Sequence, residues 1–209
     1  MKRSPNPLAA YQKKLQKIDD HMGVGISGLT ADGRSLVKYM RTEALNHKYV
    51  YGTPIQGGRI VLDLADMHQR CTQTYVRRPY GVGLLVATYD QTGPHLYMTE
   101  TSGNYYEYYA MAMGSRSQTS RTYLEREFDN FPDASVEDLL KHGLKALASS
   151  LAADSELDAK SASLSIVGKD TPFMEIGGEE LQRYLNAVEV EGDAQVMDVD
   201  MGAIEEPEI

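Results

Sequence analysis

The stretch RRPYGVGLLVATYDQTGPHLYMTETSGNYYEYYAMAMGSRSQTSRTYLERE, residues Arg77 to Glu127, decides the fold. Val82 to Tyr89 is an apolar run rich in β-branched and aromatic residues, which predicts a strand. Asp90-Gln91-Thr92-Gly93-Pro94 reverses the chain, and a second extended run follows from His95 to Glu100. Thr101-Ser102-Gly103-Asn104 turns it again into a third predicted strand, Tyr105 to Met113. Short turns make this an antiparallel meander, because a parallel pair needs a long crossover. The period then changes. Ser115, with Gln118 three residues on, predicts an N-cap and capping box for a helix running to about Phe128.

Upstream, Ile18-Asp19-Asp20-His21 and Met22 to Leu29 read as a hairpin. Met22, Val24 and Ile26 alternate with Gly23, Gly25 and Ser27, so one strand face carries side chains and the other is bare enough for close approach. Leu8 to Lys17 fits either a helix end or an extended connector. Thr30 predicts an N-cap for a helix to about Asn46, with Leu36, Val37, Tyr39, Met40 and Ala44 on its apolar side. Gly33 inside that helix costs about 0.5–1 kcal/mol relative to Ala. Tyr49 to Pro54 reads as a loop, and Ile60, Leu64, Met67 and Cys71 stripe a second helix over 58–74.

Downstream, Ser135 and Asp138 repeat the capping signature ahead of Val136, Leu139, Leu140, Leu144, Leu147 and Leu151, a helix expected to reach about Ala153. Ser163 to Gly168 and Phe173 to Ile176 read as a hairpin, followed by a short helix over 178–185. The fold class expected from this order is α+β: sheets with helices on their outer faces, and not a doubly wound fold, since the hairpins are antiparallel.

Composition narrows the function. The 209 residues suit one domain, and no apolar run approaches the ~18 residues of a membrane span. Cys71 is the single cysteine, so no intrachain disulfide forms. Of the net charge of −9, eight acids fall in 187–209, which hold no Lys or Arg. The remaining 21 basic and 22 acidic residues leave the body at −1, which gives no reason for a nucleic-acid groove. The division expected is a folded domain over 1–186 and an acidic, disordered tail over 187–209.

Chemistry-bearing motifs are weak. Gly23-x-Gly25-x-x-Gly28 matches the dinucleotide pattern, but its glycines lie inside a strand instead of opening a helix. His21, His47, His68, His95 and His142 are dispersed, with no HExxH, so no metal or other cofactor is expected. Asp19-Asp20-His21 reads as a solvated turn. Ser115, Ser117 and Ser120 stand near a helix start, where capping accounts for a serine better than nucleophilic attack does. Cys71 reads as a small buried hydrophobe. Tyr105, Tyr106, Tyr108 and Tyr109 exceed what one buried face needs, and outward rings suit a partner chain as well as they suit ordinary surface. Lys2, Arg3, Lys13, Lys14 and Lys17 form a basic entry segment able to bind a carboxylate.

Several segments together resemble the proteasome α-type subunits of the eukaryotic 20S core. They are Ile18-Asp19-Asp20-His21-Met22-Gly23, Gly28-Leu29-Thr30-Ala31-Asp32-Gly33-Arg34 and Arg78-Pro79-Tyr80-Gly81-Val82-Gly83-Leu84-Leu85. Ala112-Met113-Gly114-Ser115-Arg116-Ser117-Gln118, Thr122-Tyr123-Leu124-Glu125-Arg126 and Ile166-Val167-Gly168-Lys169-Asp170 complete the match.

The resemblance implies the four-layer αββα sandwich of the Ntn hydrolases. It also implies a non-catalytic structural and regulatory role in ubiquitin-dependent protein degradation, with no catalytic residue and no cofactor. Implied partners are other α-type subunits in a seven-membered ring, β-type subunits and regulatory caps, with no nucleic acid or membrane, in cytoplasm and nucleus. The family has about sixty residues ahead of the position matching Met1, so the first helix and first strands are expected to be missing. Lys2 is then the expected binding residue, matching the lysine that receives carboxyl-terminal residues of caps, and Gly33 stands where the family has alanine. Alternatives are a free-standing Ntn-type hydrolase or a small protein–protein adaptor.

Overall fold

The structure is a computed structural model that describes residues 13–151, 157–159 and 161–188. Five strands form one antiparallel sheet in the order β1 (Leu15–Asp19), β2 (Met22–Gly28), β3 (Val82–Asp90), β4 (Gly93–Thr99), β5 (Tyr105–Glu107). Between β2 and β3 the chain leaves the sheet as α1 (Thr30–Tyr51) and α2 (Gly57–Gln73), then returns so that β3 pairs antiparallel with β2. The meander expected from the central stretch is β3–β4–β5. Leu15–Lys17, left open between helix and connector, is strand.

The alternation in β2 decides how the sheet is covered. Met22, Val24 and Ile26, with Val82, Leu84 and Val86 of β3, are buried against Leu36, Val37, Met40 and Ala44 of α1 and Ile60, Val61 and Leu64 of α2. The opposite, bare face is crossed by two other segments. Phe173 of β7 (Thr171–Ile176) lies over Gly23, and Met113 lies against Gly83. The Phe173 N–H also donates to the Asp20 carbonyl (2.6 Å), and Lys13 pairs with Glu175, so the hairpin of β6 (Leu164–Gly168) and β7 is fastened to the β1–β2 turn.

Beyond β6 and β7 lies a second core. Leu144 of α4 (Val136–Ala148) packs with Ile176, Leu181 and Leu185, flanked by Leu140, Leu164 and Ile166. Residues 178–188 are helical and supply Leu181 and Leu185, so residues 187 and 188 belong to a helix. Residues 189–209, which carry the eight tail acids, lie outside the described residues.

Four boundaries differ from expectation. α1 runs on to Tyr51, through part of the expected loop, and stops at Gly52, whose left-handed backbone (φ 71°) lets its N–H reach the Lys48 carbonyl. β5 ends at Glu107, not Met113, because the chain bends away to cross the bare face of β3. The helix α3 (Ser117–Arg126) begins after Arg116 (φ 58°), so Ser115 is not its N-cap, and a short 3-10 turn, Phe128–Asn130, follows. α4 closes at Ala148, where the Ser149 N–H bonds the Lys145 carbonyl.

Gly33 is also more than a weak helix residue. A methyl group there would come within 2.6 Å of the Ile26 side chain, so its absence lets α1 sit close on β2.

Candidate functional site

The described residues assemble no catalytic constellation from the sequence candidates. Lys2 and Arg3 lie outside them. Ser120 is buried and donates to the Ala146 carbonyl (2.5 Å), tying α3 to α4. Cys71 is buried in α2, and no group of three or more metal-ligating side chains occurs among the described residues.

Each histidine has its own structural task. His21 Nε2 meets the Ile55 carbonyl (2.7 Å), joining the β1–β2 turn to the α1–α2 connection. His47 caps the same connection through the Thr53 carbonyl. His68 is fully buried, with Nδ1 on the Leu64 carbonyl and its ring against Tyr80. His142 meets the Tyr123 hydroxyl (2.9 Å).

Two polar clusters stand out that the sequence reading did not assemble. Arg78 donates twice to Asp32, at 2.7 and 2.8 Å, while the Gly81 N–H donates to the same carboxylate (2.9 Å). The Arg78 hydrogen bonds and the Gly81 N–H hold the Asp32 carboxyl down at about 2. This fastens the segment before β3 to the first turn of α1. The only advance signal was that both residues lie in segments carrying the resemblance.

The second cluster centres on His95 in β4. Its Nδ1 lies 2.5 Å from Glu107 of β5, and its Nε2 lies 2.7 Å from the Thr92 hydroxyl and 3.2 Å from Asp90 of β3. The Glu107 hydrogen bond, with help from Asp90, raises the His95 pKa. Burial pushes the Asp90 carboxyl up, but the Thr92 hydrogen bonds and His95 outweigh it and leave the carboxyl below its usual range.

Among the described residues, exposed apolar side chains group at several places. Leu45, Tyr49, Val50 and Tyr51 project from the last turns of α1, and Tyr75 and Val76 follow α2. Tyr105, Tyr106 and Tyr109 lie along and beyond β5, where Tyr109 packs edge-on against the half-open Phe128. Tyr49 is 90% exposed and Tyr75 fully so, far beyond what scattered surface residues need.

A family model described as proteasome subunit matches residues 1–167. The chain belongs to the proteasome subunit family. It is 50% identical over 192 residues to proteasome subunit alpha type-1 of Dictyostelium discoideum, covering 91% of this chain and 77% of that protein. It is 43% identical over 208 residues to the Schizosaccharomyces pombe protein named probable proteasome subunit alpha type-6, covering 100% and 76%. Proteasome subunit alpha type-1 of Trypanosoma brucei rhodesiense matches at 43% over 187 residues, covering 89% and 70%. The mixed helix and antiparallel-sheet content agrees with the α+β, Ntn-type expectation for this family.

Proposed function

We propose that this chain is a non-catalytic, structural and regulatory α-ring subunit of the 20S proteasome core. The observation that carries the reading is its similarity to relatives named alpha subunits along at least 89% of its length. The exposed apolar patches support it, since an assembly subunit needs faces that other chains cover.

In this reading the domain, expected over 1–186 and carried by its last helix to residue 188, adopts the four-layer αββα sandwich. Contact of β6 and β7 with the bare face of the five-stranded sheet, with α1 and α2 on one outside and α4 on the other, supports that architecture. The subunit takes its place in a seven-membered α-ring against β-type chains, restricts the entry of unfolded substrate, and docks regulatory caps during ubiquitin-dependent degradation in cytoplasm and nucleus. Proteolysis belongs to the β-type partners.

Lys2 is the proposed residue for the carboxyl terminus of a cap. Lys14 is a second candidate that the geometry favours. It is exposed, makes no ion pair with a described residue, and its carbonyl accepts from the Ile26 N–H (3.0 Å), two residues before Gly28. Comparing Lys2→Ala with Lys14→Ala for binding of a cap-tail peptide to assembled particles separates the two.

Native mass spectrometry after co-expression with α- and β-type chains tests the main reading. Entry into a large ring is expected. A chain that stays apart and cleaves peptides would instead be a free-standing Ntn hydrolase, and a monomer holding one soluble partner would be an adaptor.

A further inference from the structure

One face of α1 carries Arg34, Lys38 and Arg41 at positions i, i+4 and i+7, with Leu45 one turn beyond. Together with Val37, and with Gln16 of β1, they line an open groove of about 310 Å³. No carboxylate lines it. Arg41 is held in place, its Nε donating to the Lys17 carbonyl (2.8 Å) and its Nη2 to Gln16 (3.3 Å). Arg34 and Lys38 make no ion pair with any described residue. Like charges at this spacing repel by about 0.2–0.5 kcal/mol per pair, so the stripe lacks an anion.

The chain itself contains a matching one. Residues 189–209 hold eight acids, no Lys or Arg, and apolar residues between the acids in Val196-Met197-Asp198-Val199-Asp200-Met201. That alternation fits a groove with cations on its rim and the exposed Leu45 as its apolar contact. We propose that the acidic carboxyl-terminal segment of this chain docks in the basic groove of α1.

Reach and charge both favour this occupant. Twenty-one residues span up to ~70 Å when extended, more than the ~30–40 Å width of a domain this size. A tethered segment meets the groove at an effective concentration near millimolar, so a weak site fills in cis. Without Arg34, Lys38 and Arg41 the rest of the body holds 18 basic and 22 acidic residues, so its net charge does not attract an acidic segment. The contact is electrostatic and exposed, so salt weakens it.

Carbodiimide coupling on the full chain tests this, because it joins a lysine amine only to a carboxyl in contact with it. An equal mixture of unlabelled and 15N-labelled chain is coupled, digested and read by mass spectrometry. Lys38 should link to carboxyls between Glu189 and Glu208, within one isotopic species, about fivefold more than the exposed Lys169 does. The link should fall about fivefold in 0.5 M NaCl, and equally in the Arg34→Gln/Arg41→Gln chain, which keeps Lys38. The salt arm needs no variant, so it decides even where the substituted chain folds poorly. Links spread evenly over the exposed lysines, Lys38 links to body carboxyls alone, or links joining different isotopic species would each overturn the proposal.

Discussion

The ring of Phe173 in β7 occupies the space that a side chain at Gly23 in β2 would fill. The bare strand face read from alternate glycines is therefore where the second sheet lands, and the two sheets approach through an absence of atoms. Gly23→Ala forces the ring to move, an overpacking that should lower stability by about 1–3 kcal/mol. Urea midpoints measure this. In the Gly23→Ala/Phe173→Ala chain the methyl has room, so the combined loss should fall short of the sum of the single losses by about 1 kcal/mol. Strict additivity would mean that the two residues do not meet.

The Asp32–Arg78 link predicts a definite pH dependence. With its carboxyl held at about 2, Asp32 stabilises the fold above the unfolded value near 3.9, and that contribution is lost as pH falls toward 2. Arg78 is 65% exposed, so solvent reduces the net effect to about 1–2 kcal/mol. Asp32→Asn should destabilise by that amount at pH 7 and by much less at pH 2. An equal loss at both pH values would contradict the charge-based account.

Local rules explain which parts of this fold the sequence announces. Hairpin turns, the two-residue alternation of β2 and the apolar stripe of α2 are written in neighbouring residues and are where they were expected, whereas of the α4 stripe Leu144 is buried but Val136, Leu139 and Leu147 are exposed. The Asp32–Arg78 pair spans 46 positions, so no local window contains it, and the His95 cluster lies within one short stretch but depends on the cross-strand pairing of β3, β4 and β5, which residue pattern alone does not give. β5 is shorter than expected because Tyr-Tyr-Ala-Met-Ala-Met suits a strand locally, while packing of Met113 against Gly83 takes the chain off the ladder. Family membership came from scattered motifs that no propensity explains. The binding role of Lys2 rests on that resemblance alone.

The two capping signatures offer a matched pair. The Ser135 hydroxyl accepts from the Asp138 N–H (3.2 Å), so Ser135→Ala should cost about 0.5–2 kcal/mol. Ser115 stands in the same sequence pattern, but α3 starts later, with Arg116 in the cap position and no side-chain cap. Ser115→Ala should then stay within about 0.5 kcal/mol of the parent. Thermal unfolding of both variants gives the comparison, and equal losses would restore Ser115 as a cap.

His95 should make the edge of the sheet sensitive to pH. Charged, it donates to Glu107 of β5 through Nδ1 and faces Asp90 of β3 and the Thr92 hydroxyl through Nε2, with Tyr97 stacked 5.9 Å away. β5 pairs with β4 through three residues, flanked by the Glu100–Asn104 and Tyr108–Leu96 backbone bonds, and the His95 bridge adds a side-chain tie to that short ladder. The His95 pKa is raised, chiefly by Glu107, so the stabilisation is complete below the unfolded value near 6.5 and is lost as pH rises through the folded one. His95→Gln should therefore cost about 1–2 kcal/mol at pH 6, below the ~1.5–3 kcal/mol of a buried hydrogen bond to a charged group because Glu107 is half exposed, and clearly less at pH 9. Amide exchange at Tyr105, Tyr106 and Glu107, corrected for its intrinsic pH dependence, should quicken in the parent as pH rises and change little in the variant. A penalty for His95→Gln that is the same at both pH values would show that the imidazole acts through its shape, with no part for its charge.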